Sequence, residues 1–365
     1  MPSSETRLAA LRTRMKDTGT DLVALGPSSH MWWLSGVSPH GDERPVMLLV
    51  SQTGAAFLMP ALNADAARLS TGWLFHTWND ADGPDAAMAE LLAGLALPAQ
   101  PSVVLDETMR ADFALYLLGK LPGATHSFTA GTVGYLRARK DPEEYRRLKQ
   151  VHLLNDKAFE IGFAACKPGV TETDIVKVIA EAYAGMGADI AFIHVAFGGN
   201  GAFPHHSPGK TRLETGMAIQ IDAGCRFENY PSDMTRCGWL GDPPADYLDV
   251  AGIVEKAVRA ALAAARAGVP ASDVDRAARE VIEAAGYGDR FPHRTGHGLG
   301  IDIHEEPYIT ASNVLVLDEG MVFSIEPGIY LPDRFGIRLE EIVILRADGP
   351  EILSAMPRDI VSVPA

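Results

Sequence analysis

Residues 156–187, DKAFEIGFAACKPGVTETDIVKVIAEAYAGMG, align without gaps on residues 255–286, EKAVRAALAAARAGVPASDVDRAAREVIEAAG, at an offset of 99 residues (255 minus 156). Each segment has the apolar periodicity of two helices joined by a Gly-Val turn, and we expect the second helix of each to begin at a capping Thr or Ser. Chance similarity between two Ala-rich amphipathic segments would be enough to explain this match if it stood alone.

The same offset continues beyond the helices and carries polar residues with it. It places residues 205–208 (HHSP) on residues 304–307 (HEEP). After a few inserted residues, LETGMAIQIDAG (213–224) matches LDEGMVFSIEPG (317–328), so that Asp222 corresponds to Glu326. Chance similarity between helices does not explain matched histidines and matched acids. The sequence therefore predicts two similar half-domains related by a pseudo-twofold axis.

Each matched strand ends in a carboxylate. Asp222 closes MAIQID and Glu326 closes MVFSIE, while Asp233 follows in YPSDMTR and Glu340 in GIRLEE. An acid at the end of an apolar strand is costly to bury unless it is paired or bound to a metal. The pseudosymmetry would bring the four carboxylates into one cleft, where they would repel one another strongly at low dielectric. We therefore expect cations to balance them.

The segment HRTGHGLGIDIHEEP (293–307) places three histidines among three glycines. A helical HxxxH zinc pair is disfavoured, because the glutamate expected between the histidines is absent and the glycines oppose a helix. Purely structural histidines in a core are a second alternative. The third is an open site in which His297, flanked by Gly296 and Gly298, is a ligand and the other histidines face the substrate. Four carboxylates and one imidazole would suit two divalent ions with bridging oxygens.

The first ~135 residues alternate between apolar runs and helical patterns, which predicts a small α/β domain. The expected strands are 21–26, 46–50, 55–62 and 102–107, and the expected helices lie near 5–18, 84–95 and 110–120. Asp141-Pro142-Glu143-Glu144 is a typical helix start, with a cap, a fixed φ and acids at the positive end of the dipole. We place a domain boundary just before it, which gives domains 1–137 and 138–365.

The composition excludes several classes of protein. A formal net charge of −15 and a pI of about 5.1 predict repulsion from nucleic acid and from anionic lipid surfaces. The start has no apolar signal core, and no stretch approaches the ~20 apolar residues of a membrane span. Three cysteines, Cys166, Cys225 and Cys237, argue against a disulfide framework and a thiolate zinc site. These features indicate a cytoplasmic protein.

Five motifs together resemble those of the pita-bread metallopeptidases, the family of prolidase, aminopeptidase P, methionine aminopeptidase and creatinase. They are NGAFPHHSP, IDAGCRFENYPSDMTR, HRTGHGLGIDIHEEP, SIEPGIY and GIRLEE, and the resemblance covers residues 140–350. The two-domain layout is similar to that of the prolidase, aminopeptidase P and creatinase branch. The resemblance implies an α/β (α+β) chain in which a creatinase-like α/β domain precedes a pita-bread domain with internal duplication.

The resemblance also implies a site with two divalent metal ions. By position, the five ligands of the family fall on Asp222, Asp233, His297, Glu326 and Glu340. Asp233 and Glu340 would bridge the ions, and a hydroxide between the metals would attack the scissile carbonyl. Manganese is the expected metal, and cobalt, zinc or iron would also suit a carboxylate-rich site.

Further residues acquire roles from the same resemblance. Glu326 would also carry a proton to the leaving nitrogen, and His304 would hydrogen bond the carbonyl and then the oxyanion. His205 would face His304 across the cleft, while His293 and Arg338 would position the substrate. His206 has no role in this scheme. Thr235-Arg236 is interpreted either as support for the site or as part of an ion pair unrelated to catalysis.

The resulting hypothesis is a hydrolase that cleaves the peptide bond preceding proline, as an Xaa-Pro dipeptidase or an aminopeptidase P. Its substrate would be a small peptide or small amide, and the resemblance implies a homodimer. One alternative keeps the site for another small molecule, as in ectoine hydrolase, creatinase-like amidinohydrolases or a sulfonium lyase. Another is a non-enzymatic binding module, which the retained ligands oppose. Trp32-Trp33 and SPHGDERP (38–45) would either shape specificity or form a core pair and a solvated loop.

Overall fold

The computed structural model describes residues 4–365 and divides into two compact units, one ending at Arg137 and the other beginning at Ala138. The first unit is built on a mixed six-stranded sheet with the strand order β4-β3-β2-β1-β5-β6. Its elements are α1 Ser4–Thr18, β1 Leu22–Leu25, α2 Ser29–Ser35, β2 Met47–Ser51, β3 Ala55–Pro60, α3 Ala61–Ser70, β4 Leu74–Trp78, α4 Asp85–Ala93, β5 Ser102–Leu105, α5 Ala111–Lys120, β6 Thr125–Phe128 and α6 Val133–Ala138.

The four strands and three helices predicted for this unit are present, and most of their ends differ from the predicted ones by one or two residues. The apolar run 55–62 predicts a single strand, but β3 ends at Pro60 and helix α3 begins at Ala61. Pro60 occupies the position before the first helical residue, where its lack of an N–H group costs the helix nothing. The apolar character of Ala61 and Leu62 therefore belongs to the helix.

The two tryptophans that the sequence predicts as either a core pair or a specificity element differ in their degree of burial. Trp33 is buried, and the guanidinium of Arg7 lies 4.5 Å from its ring centroid and donates to its carbonyl oxygen. The 38–45 loop contains exposed and half-exposed residues, and its Arg44 makes two hydrogen bonds to Asp80. A role of these residues in specificity stays a prediction.

Four long helices of the second unit form two pairs, α7 Pro142–Ala165 with α8 Glu172–Gly185, and α9 Ala245–Ala264 with α10 Ala271–Ala284. Helix α7 begins with the expected cap, because Asp141 accepts from the N–H groups of Glu143 and Glu144 in a reciprocal capping box. Thr171 caps α8 in the same way. The expected cap is wrong for α10, where Pro270 precedes the helix and no side chain caps it.

Two sheets and a hairpin complete this unit, with strand orders β18-β10-β8-β7, β12-β11-β13-β16-β17 and β14-β15. Strand β9 pairs with β8 outside the main path. The strands are β7 Asp189–Phe197, β8 Ala218–Phe227, β9 Tyr230–Pro231, β10 Met234–Leu240, β11 Gly296–Gly298, β12 Glu305–Ile309, β13 Val322–Ile325, β14 Gly328–Leu331, β15 Phe335–Arg338, β16 Glu341–Arg346, β17 Gly349–Ile352 and β18 Val361–Val363.

The two sheets repeat the same arrangement of three antiparallel neighbours, which the sequence duplication predicts. In the first half β8 lies between β7 and β10, and in the second half β13 lies between β11 and β16. Asp222 lies within β8 and Glu326 directly after β13, whereas Asp233 directly precedes β10 and Glu340 directly precedes β16. Each half therefore delivers two carboxylates from equivalent strands.

The three cysteines are buried and free. Within residues 4–365, no helix is both long enough and apolar enough to cross a bilayer.

The glycines around His297 allow close contact between strands. A Cβ atom at Gly296 would overlap the carbonyl oxygen of Ser324, and one at Gly298 would overlap the carbonyl oxygen of Glu306. Residues 296–298 form strand β11 and not a helix, so the HxxxH spacing does not place its two histidines on one helical face.

We expect Gly296→Ala to destabilise the protein by about 1–3 kcal/mol, because the added methyl group must displace strand β13. Gly252→Ala is the matched control. Gly252 is exposed in helix α9, and a methyl group added there would meet no other atom within 4 Å, so alanine should stabilise the helix by roughly 0.5–1 kcal/mol. Urea unfolding of both variants measures the difference, and equal stability of the two variants would contradict the prediction.

Candidate active site

One cavity of about 970 Å³ in the second unit gathers every residue that the sequence assigned to the site. These residues are His205, Asp222, Asp233, His293, His297, His304, Glu326, Arg338 and Glu340. They come from both halves of the duplicated unit, at strand ends and in the segments that connect strands. The cavity is completed by residues outside the prediction, namely Phe192, His194, Phe203, Pro204, Arg294 and Ile303.

Three of the predicted ligands form the centre of the site. One potential ligand atom from each of Asp233, His297 and Glu340 lies within 4.8 Å of the others, and all three residues are buried. Nε2 of His297 is 3.6 Å from Oδ2 of Asp233 and 3.2 Å from Oε1 of Glu326. A histidine and three carboxylates of this kind form a donor set suited to a hard or borderline divalent cation.

The electrostatics of the centre favour a bound cation. Burial, followed by the charges of Glu340 and Asp222, raises the pKa of Asp233 well above its usual range. Burial and the charge of Glu326 raise the pKa of Glu340 in the same direction. Oε1 of Glu340 is buried and has no hydrogen-bond partner. A bound divalent cation would compensate both the repulsion and the unpartnered oxygen, so these residues fit a metal site.

The tautomer of His297 is the one that a metal ligand needs. Its Nδ1 lies 3.1 Å from the carbonyl oxygen of Gly298, which can only accept, so Nδ1 carries the proton. Nε2 is therefore free to offer its lone pair to the carboxylate centre. The backbone N–H of His297 donates to Oγ of Ser324, and that hydroxyl donates to Oε1 of Glu326. The glycine-flanked strand thus holds two predicted ligands together.

Asp222 lies at the cavity but is held by an ion pair. Its Oδ2 accepts a 2.6 Å hydrogen bond from Nη2 of Arg338, and this pair is mostly buried. The sequence predicts that Arg338 positions the substrate, and this role stays a prediction. In the structure its guanidinium also holds Asp222. A cation that uses Asp222 would bind the second carboxylate oxygen or compete with the guanidinium.

Tyr330 is a site residue that the sequence interpretation missed. Its hydroxyl lies 2.8 Å from Nε2 of His293 and accepts a 2.8 Å hydrogen bond from Arg338, so it links two predicted positioning residues. Gly336 is the cross-strand partner of Tyr330, and a Cβ atom there would overlap the carbonyl oxygen of Gly201 and lie 2.9 Å from the tyrosine ring. The available signal was the place of Tyr330 in the motif SIEPGIY, close behind the predicted ligand Glu326.

Thr235 supports the metal centre, and Arg236 belongs to a different network. The Thr235 hydroxyl donates to Oε2 of Glu340 at 2.8 Å and accepts from Nε of Arg338 at 3.0 Å. Arg236 is fully buried and pairs with Glu341 at 2.9 Å on the other side of the strand. Thr235 thus contacts the predicted ligand through its hydroxyl, whereas Arg236 forms a buried ion pair and also donates to the backbone carbonyl oxygen of Glu340.

Thr235→Val should lower kcat/KM by about 10- to 100-fold, because valine keeps the shape but leaves Glu340 and Arg338 each without one partner, a cost of about 1–3 kcal/mol. The folded state should survive, since the methyl groups fill the same volume. Thr215→Val, at an exposed position, should leave kcat/KM unchanged. Steady-state kinetics of the metal-loaded variants, with circular dichroism for folding, make the comparison. Wild-type kcat/KM in Thr235→Val would show that the hydroxyl is dispensable.

His304 lies against the metal centre. Its ring centroid is 4.1 Å from that of His297. Burial, together with the charges of His297 and Arg294, lowers the pKa of His304 to about 4. The neutral imidazole is therefore the form expected at neutral pH, and it can donate one hydrogen bond to a carbonyl or oxyanion.

A second cluster, in the first unit, brings ligand atoms of His30, Asp106 and Glu107 within 4.8 Å of one another. Its groups already have protein partners. Arg137 donates a hydrogen bond to Nδ1 of His30, so the imidazole already has a positively charged side chain as its partner. Asp106 accepts from Ser28 and Thr108, and Glu107 accepts from Thr129. We interpret this cluster as a hydrogen-bonded support for helix α2, which carries His30.

Comparison with known proteins gives matches over the whole length. Residues 146–347 match Metallopeptidase family M24, and residues 7–138 match the Creatinase/Prolidase N-terminal domain. The chain is 35% identical to a probable dipeptidase PepE of Mycobacterium tuberculosis, over 98% of this chain and 96% of that protein. It is 32% identical to an Xaa-Pro dipeptidase of Lactobacillus helveticus, over 98% and 99%. The crystal structure of dipeptidase PepE from Mycobacterium ulcerans superposes with a TM-score of 0.91 at 33% identity, over 99% and 98%.

Proposed function

Since the chain belongs to metallopeptidase family M24, we propose that it is a dinuclear metal-dependent Xaa-Pro dipeptidase, which hydrolyses the peptide bond preceding a C-terminal proline. The ligands would be Asp222, Asp233, His297, Glu326 and Glu340, with Asp233 and Glu340 shared between two divalent ions. Manganese is the proposed metal. The relatives named dipeptidase and Xaa-Pro dipeptidase support the substrate class.

The observation that carries this proposal is the unpartnered, buried Oε1 of Glu340 in a cluster of carboxylates around Nε2 of His297. Among the described residues, Arg338 lines this cavity within hydrogen-bond distance of a predicted ligand, but its guanidinium is already paired with Asp222. The remaining negative charge therefore favours the binding of metal ions. When bound, divalent ions lower the pKa of water and polarise carbonyl groups.

The side chains of the cavity supply the remaining functions. The Glu326 carboxylate, oriented by Ser324 and His297, accepts a proton from the attacking water and delivers it to the leaving nitrogen. His304 donates a hydrogen bond to the oxygen of the scissile carbonyl, where negative charge develops. His205 lies in the same cavity and would contact the substrate from the first half of the unit. His293 and Arg338, joined by Tyr330, fix the wall behind Asp222.

The remaining lining residues favour a small substrate that is apolar at one end and anionic at the other. Phe192, Phe203 and Ile303 provide apolar contacts for a pyrrolidine ring. Arg294 lines the cavity with its guanidinium 4.7 Å from the ring centroid of Tyr308. A guanidinium held in this way suits the C-terminal carboxylate of a dipeptide. This arrangement favours a dipeptide over a longer peptide.

The test is hydrolysis of Ala-Pro, Met-Pro, Gly-Pro-Ala and Leu-Gly by chelator-stripped protein to which manganese, cobalt or zinc is returned. The proposal predicts metal-dependent cleavage of the two proline dipeptides and no cleavage of Leu-Gly. Cleavage of Gly-Pro-Ala at a similar rate would shift the activity to that of an aminopeptidase P. No cleavage with any metal would refute the proposed substrate.

A further inference from the structure

His206 lies directly after His205 and has no role in the proposed reaction, yet it is among the most constrained residues at the cavity. Its backbone N–H donates to the carbonyl oxygen of Phe203 at 3.1 Å. Its Nε2 lies 3.0 Å from Oε2 of Glu172, and its carbonyl oxygen accepts from Nδ1 of His194 at 3.2 Å. Three of its polar groups are therefore engaged, and the backbone next to His205 is fixed.

The partner of His206, Glu172, is the first residue of helix α8 and is fully buried. Its Oε1 accepts from the backbone N–H of Phe197 at 2.9 Å and from Nδ2 of Asn200 at 2.8 Å. Its Oε2 accepts from His206 and from the backbone N–H of Gly209 at 2.8 Å. One carboxylate thus holds both ends of the segment 197–209.

This segment carries side chains of the cavity. His205, Phe203 and Pro204 all line it, and they lie between the points at which Glu172 binds the segment. A short loop of this kind, without a regular strand of its own after the 3₁₀ turn at Gly198–Ala202, depends on such anchors for its position. Small displacements of a reacting group have large effects on rate.

We propose that Glu172 and His206 form a clamp that positions His205 for the reaction. Glu172 and His206 are positioning residues, because neither needs to touch the substrate. The kinetic test of this inference rests on the proposed function. Its test by hydrogen exchange rests only on the hydrogen bonds of Glu172 and His206.

The second half of the unit contains an analogous anchor, which supports the interpretation. Asp275 of helix α10 is fully buried and accepts from the N–H and hydroxyl groups of Thr295, at 3.1 and 2.8 Å. Thr295 lies between His293 and His297 in the chain. In each half, a buried carboxylate from the second helix therefore holds a segment that brings histidines to the cavity.

The hydrogen bond between His206 and Glu172 determines which substitutions test the clamp. A carboxylate can only accept from the imidazole, so Nε2 of His206 carries a proton and acts as a donor. His206→Gln keeps a terminal N–H donor on a side chain of similar reach, whereas His206→Ala removes it. The His206 side chain is 21% exposed, while that of Glu172 is 0% exposed, so the histidine can be replaced with less risk to folding. His126→Ala, at an exposed position of strand β6, is the matched control.

The experiment uses the full-length, metal-loaded protein with Ala-Pro as substrate. We expect His206→Ala to lower kcat by about 10-fold or more and to raise KM, because the segment 197–209 carries His205 and Phe203, which contact the substrate in the proposed function. Metal content should not change. His206→Gln should recover most of kcat, and His126→Ala should match the wild type. Amide hydrogen exchange of residues 197–209 should become at least several-fold faster in His206→Ala.

The outcomes separate the clamp from the proposed function. Wild-type kcat and unchanged exchange in His206→Ala would overturn the clamp. An equal loss of kcat in the Ala and Gln variants, accompanied by loss of metal, would also overturn it, since the residue would then act by stabilising the fold. If the wild-type protein cleaves no Xaa-Pro peptide, the proposed function fails, and hydrogen exchange alone decides: faster exchange in His206→Ala supports the clamp, and unchanged exchange overturns it.

Discussion

Replacing Asp233 by Asn should abolish activity and at the same time leave the metal-free protein as stable as the wild type, or more stable. Asp233 is buried beside Glu340, and burial together with the charges of that residue and of Asp222 raises its pKa well above the usual range. In the absence of metal, ionised Asp233 therefore costs folding free energy. An asparagine carries no charge and removes that cost.

With metal present, the same substitution should lower both the activity and the metal-bound stability of the protein. Loss of a carboxylate that the proposed function shares between two ions should remove several kcal/mol of transition-state stabilisation, and about 4 kcal/mol corresponds to a loss of about 1000-fold in kcat/KM. Metal stoichiometry, measured by mass spectrometry after gel filtration, should fall below that of the wild type. Under the proposed function, manganese should raise the Tm of the wild type, and this increase should shrink or disappear in Asp233→Asn.

Asp249→Asn is the matched control, since Asp249 is exposed on helix α9 and lines no part of the cavity. It should retain wild-type kcat/KM, metal content and Tm. The decisive comparison is the Tm of Asp233→Asn in chelator. A large decrease there would show that Asp233 stabilises the metal-free fold, which contradicts the electrostatic argument for a cation at this centre.

The resemblance to pita-bread metallopeptidases and the two-part α/β fold are confirmed, and particular residues show why the sequence was sufficient for them. The duplication at an offset of 99 residues defines the two helix pairs and equivalent strands. Because β8 and β13 occupy the same place in their sheets, Asp222 within β8 and Glu326 directly after β13 reach the same cavity. The first unit was harder. Strands β4 and β6 are edge strands with exposed residues, so their apolar patterns are weak.

The sequence could not predict which side chains form hydrogen bonds and ion pairs with one another. The structure brings all nine predicted site residues to one cavity, and their roles stay a prediction. It also pairs Arg338 with Asp222, connects Tyr330 to His293, and joins Glu172 to His206. Each of these contacts joins residues at least 34 positions apart, across different elements. Such contacts depend on how sheets and loops pack, which periodicity does not encode.

A layer of buried charge behind the metal centre carries the second large prediction. Arg236 is fully buried and has several protein partners, whereas the neighbouring Thr235 hydroxyl donates to Glu340 at the cavity. The guanidinium of Arg236 donates to the carboxylate of Glu341 and to the carbonyl oxygens of Thr235, Glu340, Met356 and Pro357. One side chain therefore joins the strand that carries Thr235, the residue Glu340 and the C-terminal segment.

Arg236→Met should destabilise the protein by about 3–5 kcal/mol, because it leaves several buried carbonyl groups unsatisfied and leaves Glu341 with Arg358 as its remaining ionic partner. The corresponding decrease in Tm is roughly 10 °C for a unit of this size. Arg236→Lys keeps the charge but loses the forked set of donors, so its Tm should lie between those of the methionine variant and the wild type. Arg259→Met, whose side chain is 74% exposed in a pair with Glu255, should change stability by less than about 1 kcal/mol.

The double variant Arg236→Met with Glu341→Leu distinguishes the two parts of this cost. In Arg236→Met the buried carboxylate of Glu341 keeps Arg358 but loses one of its two arginine partners. Removing that carboxylate as well should make the double variant modestly more stable than Arg236→Met alone. It should not reach the wild type, since the carbonyl groups of Glu340 and Met356 still lack a donor. Recovery of wild-type stability would mean that loss of the ion pair accounts for the whole destabilisation. No recovery would mean that the unsatisfied carbonyl groups account for it. Thermal unfolding of the four variants, with kcat/KM measured in parallel, shows whether the layer that supports Glu340 also maintains its catalytic geometry.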